Sequence, residues 1–402
     1  MKGRAPLAVA LLLALGAAAA YGYSAPGPVL WQVAPQPGAT LLLRQVPLTV
    51  QLSRPYQGVA ALFVDGRRVA AGLPAPYLSY LPPAPLAPGR HTLRVDTLTA
   101  AGAFSYRWDV DVAERAQRVV GAYDAATYQA LAAVNQIRST LGIGRLRLSG
   151  PLEAASRAHS AFFLKNLDRY RKLSVAVHTE QPSWPDFVGR TPWARDVAFG
   201  YNGDGDSEVM AFGVGTVQAV ELWLDSVYHR FGLIDPGLTS MGFGISGQAG
   251  TSSDLPVTTL NAGFESQAEV QSSRAVVWPV PGQAGVPVEF EEGEMPDPLA
   301  NFKGASYPAG YPVTVSFFGL DVKGLRIASA TLQRSGMGEV ACHLLTPQVE
   351  QNKDELGMSA ALLPARPLAA GQGYQAVFRG SYRDSGGWHP FRVATAFRTA
   401  QA

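Results

Sequence analysis

Residues 217–244 constrain this chain more than any other stretch. Apolar side chains recur at Val217, Val220, Leu224 and Val227, the three-and-four spacing that gives a helix one buried face. The period predicts a helix running to His229–Arg230, where cationic side chains suit the negative end of the helix dipole. A turn at Asp235-Pro236-Gly237 follows. The short apolar run Met241-Gly242-Phe243-Gly244-Ile245 then reads as a strand.

The chain has 402 residues, enough for two to four domains. Hydrophobic residues make up 47% and charged residues 16%, which selects packed domains over disorder. The formal net charge of +2 gives no reason to expect a nucleic-acid partner. One cysteine, Cys342, excludes an intrachain disulfide framework and any Cys-x-x-Cys motif. It sits in the strand-like run Glu339–Leu345 and reads as a small buried hydrophobe.

Residues 1–25 read as a signal peptide. Lys2 and Arg4 precede an apolar run over Leu7–Ala20, too short to span a bilayer comfortably, and Ala18-Ala19-Ala20 offers a cleavage site. No later segment approaches transmembrane length.

Residues 26–113 read as a small β-domain. Asp65-Gly66 between apolar runs marks a hairpin, and Leu93 and Val95, then Trp108, Val110 and Val112, alternate with polar residues. His91 reads as a surface residue of one of these strands. Residues 274–402 are β-like again, with alternation over Pro312–Phe318 and Val393–Phe397. The acidic run Glu291-Glu292-Gly293-Glu294 reads as a solvated turn. Both β-regions resemble bacterial immunoglobulin-like modules, the second also fibronectin-like ones.

Between them, residues 121–266 change character. Tyr128, Leu131, Val134, Ile137 and Leu141 predict a helix that Gly142 stops. Gly150-Pro151 opens a second, whose buried face holds Leu152, Ala155, His159, Phe162 and Phe163. Residues 174–215, rich in Pro, Gly and Asp, read as loops. Asn202–Glu208 alternates oxygen donors as an EF-hand loop begins, but Ser207 and Gly213 stand where Gly and Glu are required, so it reads as a polar turn.

Trp223-x-x-Ser226-x-x-His229-Arg230 followed by Gly242-x-Gly244 resembles the bacterial, SCP-like branch of the CAP superfamily, the cysteine-rich secretory proteins, antigen 5 and pathogenesis-related 1. Val134-Asn135-x-x-Arg138, Leu146-x-Leu148, Ala158-His159-Ser160 and Val177-His178-Thr179 carry the same resemblance, as do Arg195-Asp196, Gly200-Tyr201 and Ser207-Glu208-Val209. It implies a multidomain chain in which a central α+β domain, a CAP-type α-β-α sandwich, is flanked by two β-sandwich, immunoglobulin-like domains.

In eukaryotic members of the family two His and two Glu line an open cleft and can hold a divalent metal. Carried over by position, His178 matches the first His, Glu208 the first Glu, and His229 is the candidate second His. Ser226 replaces the second Glu, with Asp225 and Glu221 nearby as substitutes. The resemblance thus implies a divalent ion, zinc or similar, on His178 and His229, and the missing Glu weakens that implication. The residues alone leave two readings open: hydrogen bonds that tie loops together, or a functional cleft. No catalytic residue is assigned, since Gly-x-Ser-x-Gly, His-Glu-x-x-His and P-loop signatures are all missing. The expectation is an exported, envelope or extracellular protein whose CAP-like domain binds a lipid, glycan or protein ligand. The alternative is a metal-dependent hydrolase of envelope polymers or peptides.

Overall fold

The computed structural model describes residues 30–52, 60–71, 77–99, 102–118, 123–203, 205–247, 255–264, 275–319, 321–351 and 353–401. The expected signal peptide, the junctions near Gly121 and Arg274, and Asp204 lie outside the described residues.

The first half of the chain runs β1 (Leu30–Ala34), β2 (Thr40–Leu43), β3 (Leu48–Leu52), β4 (Ala60–Val64), β5 (Arg67–Val69), β6 (Tyr77–Tyr80), β7 (Gly89–Thr99), β8 (Gly102–Gln117) and α1 (Ala125–Thr140). Next come β9 (Arg147–Leu148), α2 (Gly150–Lys165), α3 (Leu167–Leu173), α4 (Pro192–Ala198), β10 (Gly205–Phe212), α5 (Thr216–Asp225), α6 (Phe231–Ile234), β11 (Ser240–Ser246) and β12 (Val257–Phe264). The remainder is β13 (Ala275–Trp278), β14 (Glu289–Phe290), a 3₁₀ turn at Pro298–Asn301, β15 (Ala309–Gly310), β16 (Val313–Phe317), β17 (Gly324–Arg334), β18 (Gly338–Glu339), β19 (Cys342–Leu345), α7 (Lys353–Leu356), β20 (Ser359–Pro364), β21 (Gly373–Asp384) and β22 (Gly387–Arg398).

These elements form two compact units. One comprises Met1–Gln129, Arg147–Thr216 and Ser240–Glu265; the other comprises Ala130–Leu146, Val217–Thr239 and Ser266–Ala402.

In the first unit β1-β3-β6 form one sheet and β2-β8-β7-β4-β5 another. The hairpin between β4 and β5 turns on Asp65 and Gly66, at φ of 50° and 77°, the double left-handed turn that matches strand twist. Leu62, Leu93, Val95, Trp108 and Val110 fill one apolar cluster with Ala154 and Ala155 of α2 and Phe199. His91 is buried here rather than exposed. It lies opposite Val110, its Nδ1 is 2.7 Å from Asp65 Oδ2 and its Nε2 2.7 Å from the Ala87 carbonyl. The residue is on a strand, as expected, but alternation alone does not tell which face of β7 the ring occupies.

The same unit contains the sheet β10-β12-β11-β9, with β9 parallel to β11 and the other pairs antiparallel. Helix α2 lies against β11 and β12 at very short range, and Gly242 and Gly244 permit it. A Cβ on Gly242 would fall 2.0–2.5 Å from the backbone of Leu152 and Glu153; one on Gly244, 2.2–2.5 Å from that of Ser156 and Arg157. Ser156 and Ser160 then donate to the Gly242 and Gly244 carbonyls at 3.2 and 3.1 Å. The segment expected to be loops carries α4, capped by the Thr191 hydroxyl, and strand β10. Asp206 and Glu208, expected in a polar turn, are strand residues paired with Gly263 and Asn261.

In the second unit the sheets β13-β16-β20-β19 and β18-β17-β21-β22 share a core of Trp278, Val313, Val315, Phe317, Leu332, Leu362, Phe378 and Phe397. Arg138 of α1 is fully buried and donates to the carbonyls of Gly144, Leu233, Asp235 and Leu238 at 2.5–3.0 Å, which binds the α1 end to the α6 turn. Helix α5 stops at Asp225, four residues before the expected end. The N–H groups of Val227, Tyr228 and His229 go instead to the Glu294 carboxylate, at 2.7, 2.5 and 3.2 Å. Glu294 is therefore buried, 7% exposed, and not in a solvated turn.

Gly244→Ala is expected to destabilise the protein by about 3 kcal/mol, because backbone, not a flexible side chain, occupies the space. Urea denaturation of the variant beside the parent chain measures it, and an unchanged midpoint would show that α2 can withdraw from β11 at little cost.

Candidate functional site

Several short segments of the first unit converge on a buried cluster of charges. Helix α2 supplies His159, the turn after α3 supplies His178 and Glu180, α4 supplies Arg195 and Asp196, and β10 supplies Asp206 and Glu208. Arg195 is fully buried. Its Nη2 donates to both carboxylate oxygens of Glu208 at 2.7 Å, and its Nη1 donates to the His178 and Gly189 carbonyls at 3.2 Å each. Gly189 passes close to the start of α4, where a Cβ would meet the Ala194–Arg195 backbone at 2.8 Å.

His178 Nδ1 lies 2.9 Å from Glu208 Oε1. An ionised carboxylate only accepts, so the imidazole donates. The Glu208 side chain is 1% exposed and that of His178 34%. The His178–Glu208 pair thus reaches the surface through the imidazole. Burial pushes the Glu208 carboxyl upward, but the Arg195 charge foremost, then His159 and His178, hold it well below the ordinary value of 4.5.

A second buried carboxylate completes the group. Glu180 accepts from His159 Nδ1 at 2.9 Å and from the Val188 and Gly189 amides at 2.8 and 3.3 Å. His159 Nε2 faces the Val177 carbonyl at 3.0 Å. His159, read from its helical face as a core histidine, is buried and joins the two carboxylates, lying 3.7 Å from Glu208. Glu180 escaped sequence reasoning although it stands two residues after His178. Its signal was that proximity alone, and only the turn that brings Val188 and Gly189 back to it reveals its role.

Behind this group Asp196 accepts from the Asn261 amide at 2.7 Å. Burial, then the neighbouring Asp206 carboxylate, raises the Asp196 carboxyl; burial, then Glu208, raises Asp206 to about 7.

The other sequence candidates belong to the second unit and have partners there. His229 Nδ1 is 3.1 Å from Glu294 Oε1 and 3.5 Å from the Ser226 hydroxyl, which itself donates to the Trp223 carbonyl at 2.8 Å. Asp225 accepts from the Tyr311 hydroxyl at 2.8 Å, and burial raises its carboxyl. Glu221 is exposed on α5. The carboxylate beside His229 is therefore Glu294, sixty-five residues downstream, a distance no local motif encodes.

Residues 131–261 match the model of the cysteine-rich secretory protein family. They form a CAP domain. This domain holds His159, His178, Glu180, Arg195, Glu208 and His229, and its residues are divided between the two compact units. A search of curated proteins found no match. Among solved structures, an outer surface protein from Borrelia burgdorferi is 18% identical over 34% of this chain and 90% of that one, with a TM-score of 0.26. The copper resistance protein PcoC from Escherichia coli is 15% identical over 31% of this chain and 94% of that one, with a TM-score of 0.18.

Among the described residues, no three His, Cys, Asp or Glu side chains of the CAP domain or its flanks group as a cluster able to hold a metal ion. The donors around His178 do not suit one. Both Glu208 oxygens and the His178 Nδ1 are engaged with one another or with Arg195. The guanidinium already supplies the positive charge a divalent ion would bring, and a second cation against it would be repelled.

Two outcomes follow from these contacts. Glu294→Ala leaves three successive amides without their acceptor and should cost about 3 kcal/mol, read as a lower melting temperature; a neutral result would show that water replaces the carboxylate. The second concerns pH. A carboxyl raised in the folded state favours folding while protonated, and that advantage is lost as pH climbs from its ordinary 3.8 through about 7. Glu208 acts oppositely, adding stability above its ordinary 4.5 that is lost as pH falls. Stability of the parent chain should therefore peak in mildly acidic solution and decline toward neutrality, and Asp206→Asn should flatten that decline. Denaturant midpoints measured between about pH 4 and 8 decide it.

Proposed function

We propose that this is an exported, non-enzymatic binding protein of the cell envelope or extracellular space, whose CAP domain recognises a lipid, glycan or protein ligand at the surface around His178. The observation that carries the reading is the pair of hydrogen bonds that Arg195 Nη2 donates to the two Glu208 oxygens. A carboxylate with both oxygens committed to a buried guanidinium, and held well below its ordinary value, is a poor proton acceptor near neutral pH. What remains for a ligand is the partly exposed His178 ring, fixed in place by that pair.

Export is supported by the basic start and short apolar run of residues 1–25 and by the CAP domain itself. Among the described residues no helix is long and apolar enough to cross a membrane. The flanking β-regions serve in this reading as immunoglobulin-like spacers. The alternative, a metal-dependent hydrolase, would need a free carboxylate base or an open metal position, and neither fits the engaged Glu208.

The test is direct. The purified full chain, with and without added zinc, is incubated with peptidoglycan and casein and, in parallel, titrated with a fluorescent fatty acid, soluble peptidoglycan fragments and purified envelope proteins. We expect no hydrolysis above background and saturable binding in one of the titrations, weakened about tenfold by His178→Ala, with a loss of stability no larger than one hydrogen bond, about 1 kcal/mol. Zinc-dependent turnover abolished by Glu208→Gln would establish the hydrolase instead.

A further inference from the structure

Beyond the CAP domain, the sheet β18-β17-β21-β22 carries a face whose chemistry the reading above does not use. In antiparallel strands directly opposed residues share a face, and so do every second residues along each strand. Register places Arg383 opposite Trp388, Ser381 opposite Pro390, Arg379 opposite Arg392 and Gly373 opposite Arg398 between β21 and β22. Across the other edge of β21, Arg326 of β17 faces Ser381 and Gly324 faces Arg383. Arg326, Arg379, Arg383, Arg392 and Arg398 therefore stand on one face of three strands, and all five are exposed.

Trp388 organises one end of this face. It lies across Gly324, where a Cβ would come within 3.1 Å of the indole. The Arg326 guanidinium rests 4.3 Å from the ring centroid and that of Arg383 5.7 Å away. Such stacking holds the planar forks in place without consuming their N–H groups. Arg383 makes one weak bond, at 3.4 Å, to the Lys323 carbonyl. The nearby carboxylate Asp384 is taken by His389 at 2.8 Å. Glu339 sits at the far end of the sheet, opposite Gln333.

Among the described residues none of the five arginines is in an ion pair. The N-terminal sheet differs: there Arg90 pairs with Asp109 at 2.5 Å and Arg94 with Asp96 at 3.1 Å. Opposing Arg379 to Arg392 places like charges directly across a strand pair, which disfavours the sheet. A chain of net charge +2 has no compositional need to collect five unpaired cations there.

We propose that this face binds an acidic polysaccharide bearing regularly spaced carboxylates. Guanidinium forks match carboxylates two bonds at a time. Arg383, Arg326 and the Arg379–Arg392 pair stand in three successive rows about 7 Å apart along the strands, with about 5 Å between strands; Arg398 lies about 20 Å beyond Arg392. The three rows suit an extended chain of separated anions. Trp388 is the one aromatic side chain that β17, β21 and β22 place on this face, and the Arg326 and Arg383 guanidinium groups lie against it; single-stranded nucleic acid uses a succession of stacking platforms. This surface and its chemistry are independent of the His178 site.

The probe is polygalacturonate, immobilised and titrated with the full chain at increasing sodium chloride. Neutral dextran, duplex DNA and phosphatidylglycerol vesicles are compared with it. The parent chain should bind polygalacturonate, release it as salt rises, and leave dextran unbound. The double variant R379S/R392S should bind about tenfold more weakly, with a melting temperature equal to the parent's or higher because a like-charge pair is removed. Arg326→Ser, on the neighbouring strand beside Trp388, should also weaken binding. R90S, whose arginine is already paired, and H178A should not. Binding no stronger than to dextran, binding indifferent to both the double variant and Arg326→Ser, or stronger binding to DNA or vesicles than to polygalacturonate would each overturn the proposal.

Discussion

The ion pair between Arg195 and Glu208 holds the centre of the first unit together. Both side chains are essentially excluded from water, so each depends on the other. Removing either would leave a buried charge uncompensated, an expense of several kilocalories that few folds tolerate. The pair also fixes its neighbours. Arg195 reaches the His178 and Gly189 carbonyls, and Glu208 receives the His178 ring. The long segment between α3 and β10 has little regular structure of its own and is positioned largely by these contacts.

This arrangement bears on what a CAP domain can do here. A cleft with free carboxylates and imidazoles invites a cation. Here Arg195 lies against the carboxylate, and of His178 and Glu208 only the imidazole is partly exposed. His178 and Glu208 lie 2.9 Å apart, while His229, expected with them, belongs to the second unit and meets Glu294. The Arg195 guanidinium supplies the positive charge that balances the buried Glu208 carboxylate.

The second unit solves a comparable problem differently. Where α5 ends, three consecutive amides point away from any helical carbonyl, and Glu294 from the C-terminal segment accepts all three while meeting His229. Arg230, next in sequence, is buried against the Leu224 and Pro312 carbonyls and the Thr314 hydroxyl. The His229-Arg230 motif thus acts here as a pair of anchors, each reaching a residue of the C-terminal β-region within the same unit.

What was legible in the sequence was whatever depends on local order. Helical period placed α1 and α2, alternation and Asp65-Gly66 placed the β4–β5 hairpin, and Gly242-x-Gly244 marked strand β11. These signals are read over a few residues because backbone geometry repeats over a few residues. The partners of the charged groups were not legible. Glu180 was not singled out, Glu294 was placed in a solvated turn, α5 was expected to run to His229–Arg230, and His91 was placed on the surface. Each of those outcomes turns on a side chain or amide finding its counterpart across a distance the sequence does not encode. Burial decides them, because a polar group removed from water must be satisfied by whatever the packed chain brings beside it. The sequence by itself determined which segments would be helix and strand and which residue types stood ready. Only tertiary structure decided that Glu208 would meet an arginine as well as a histidine.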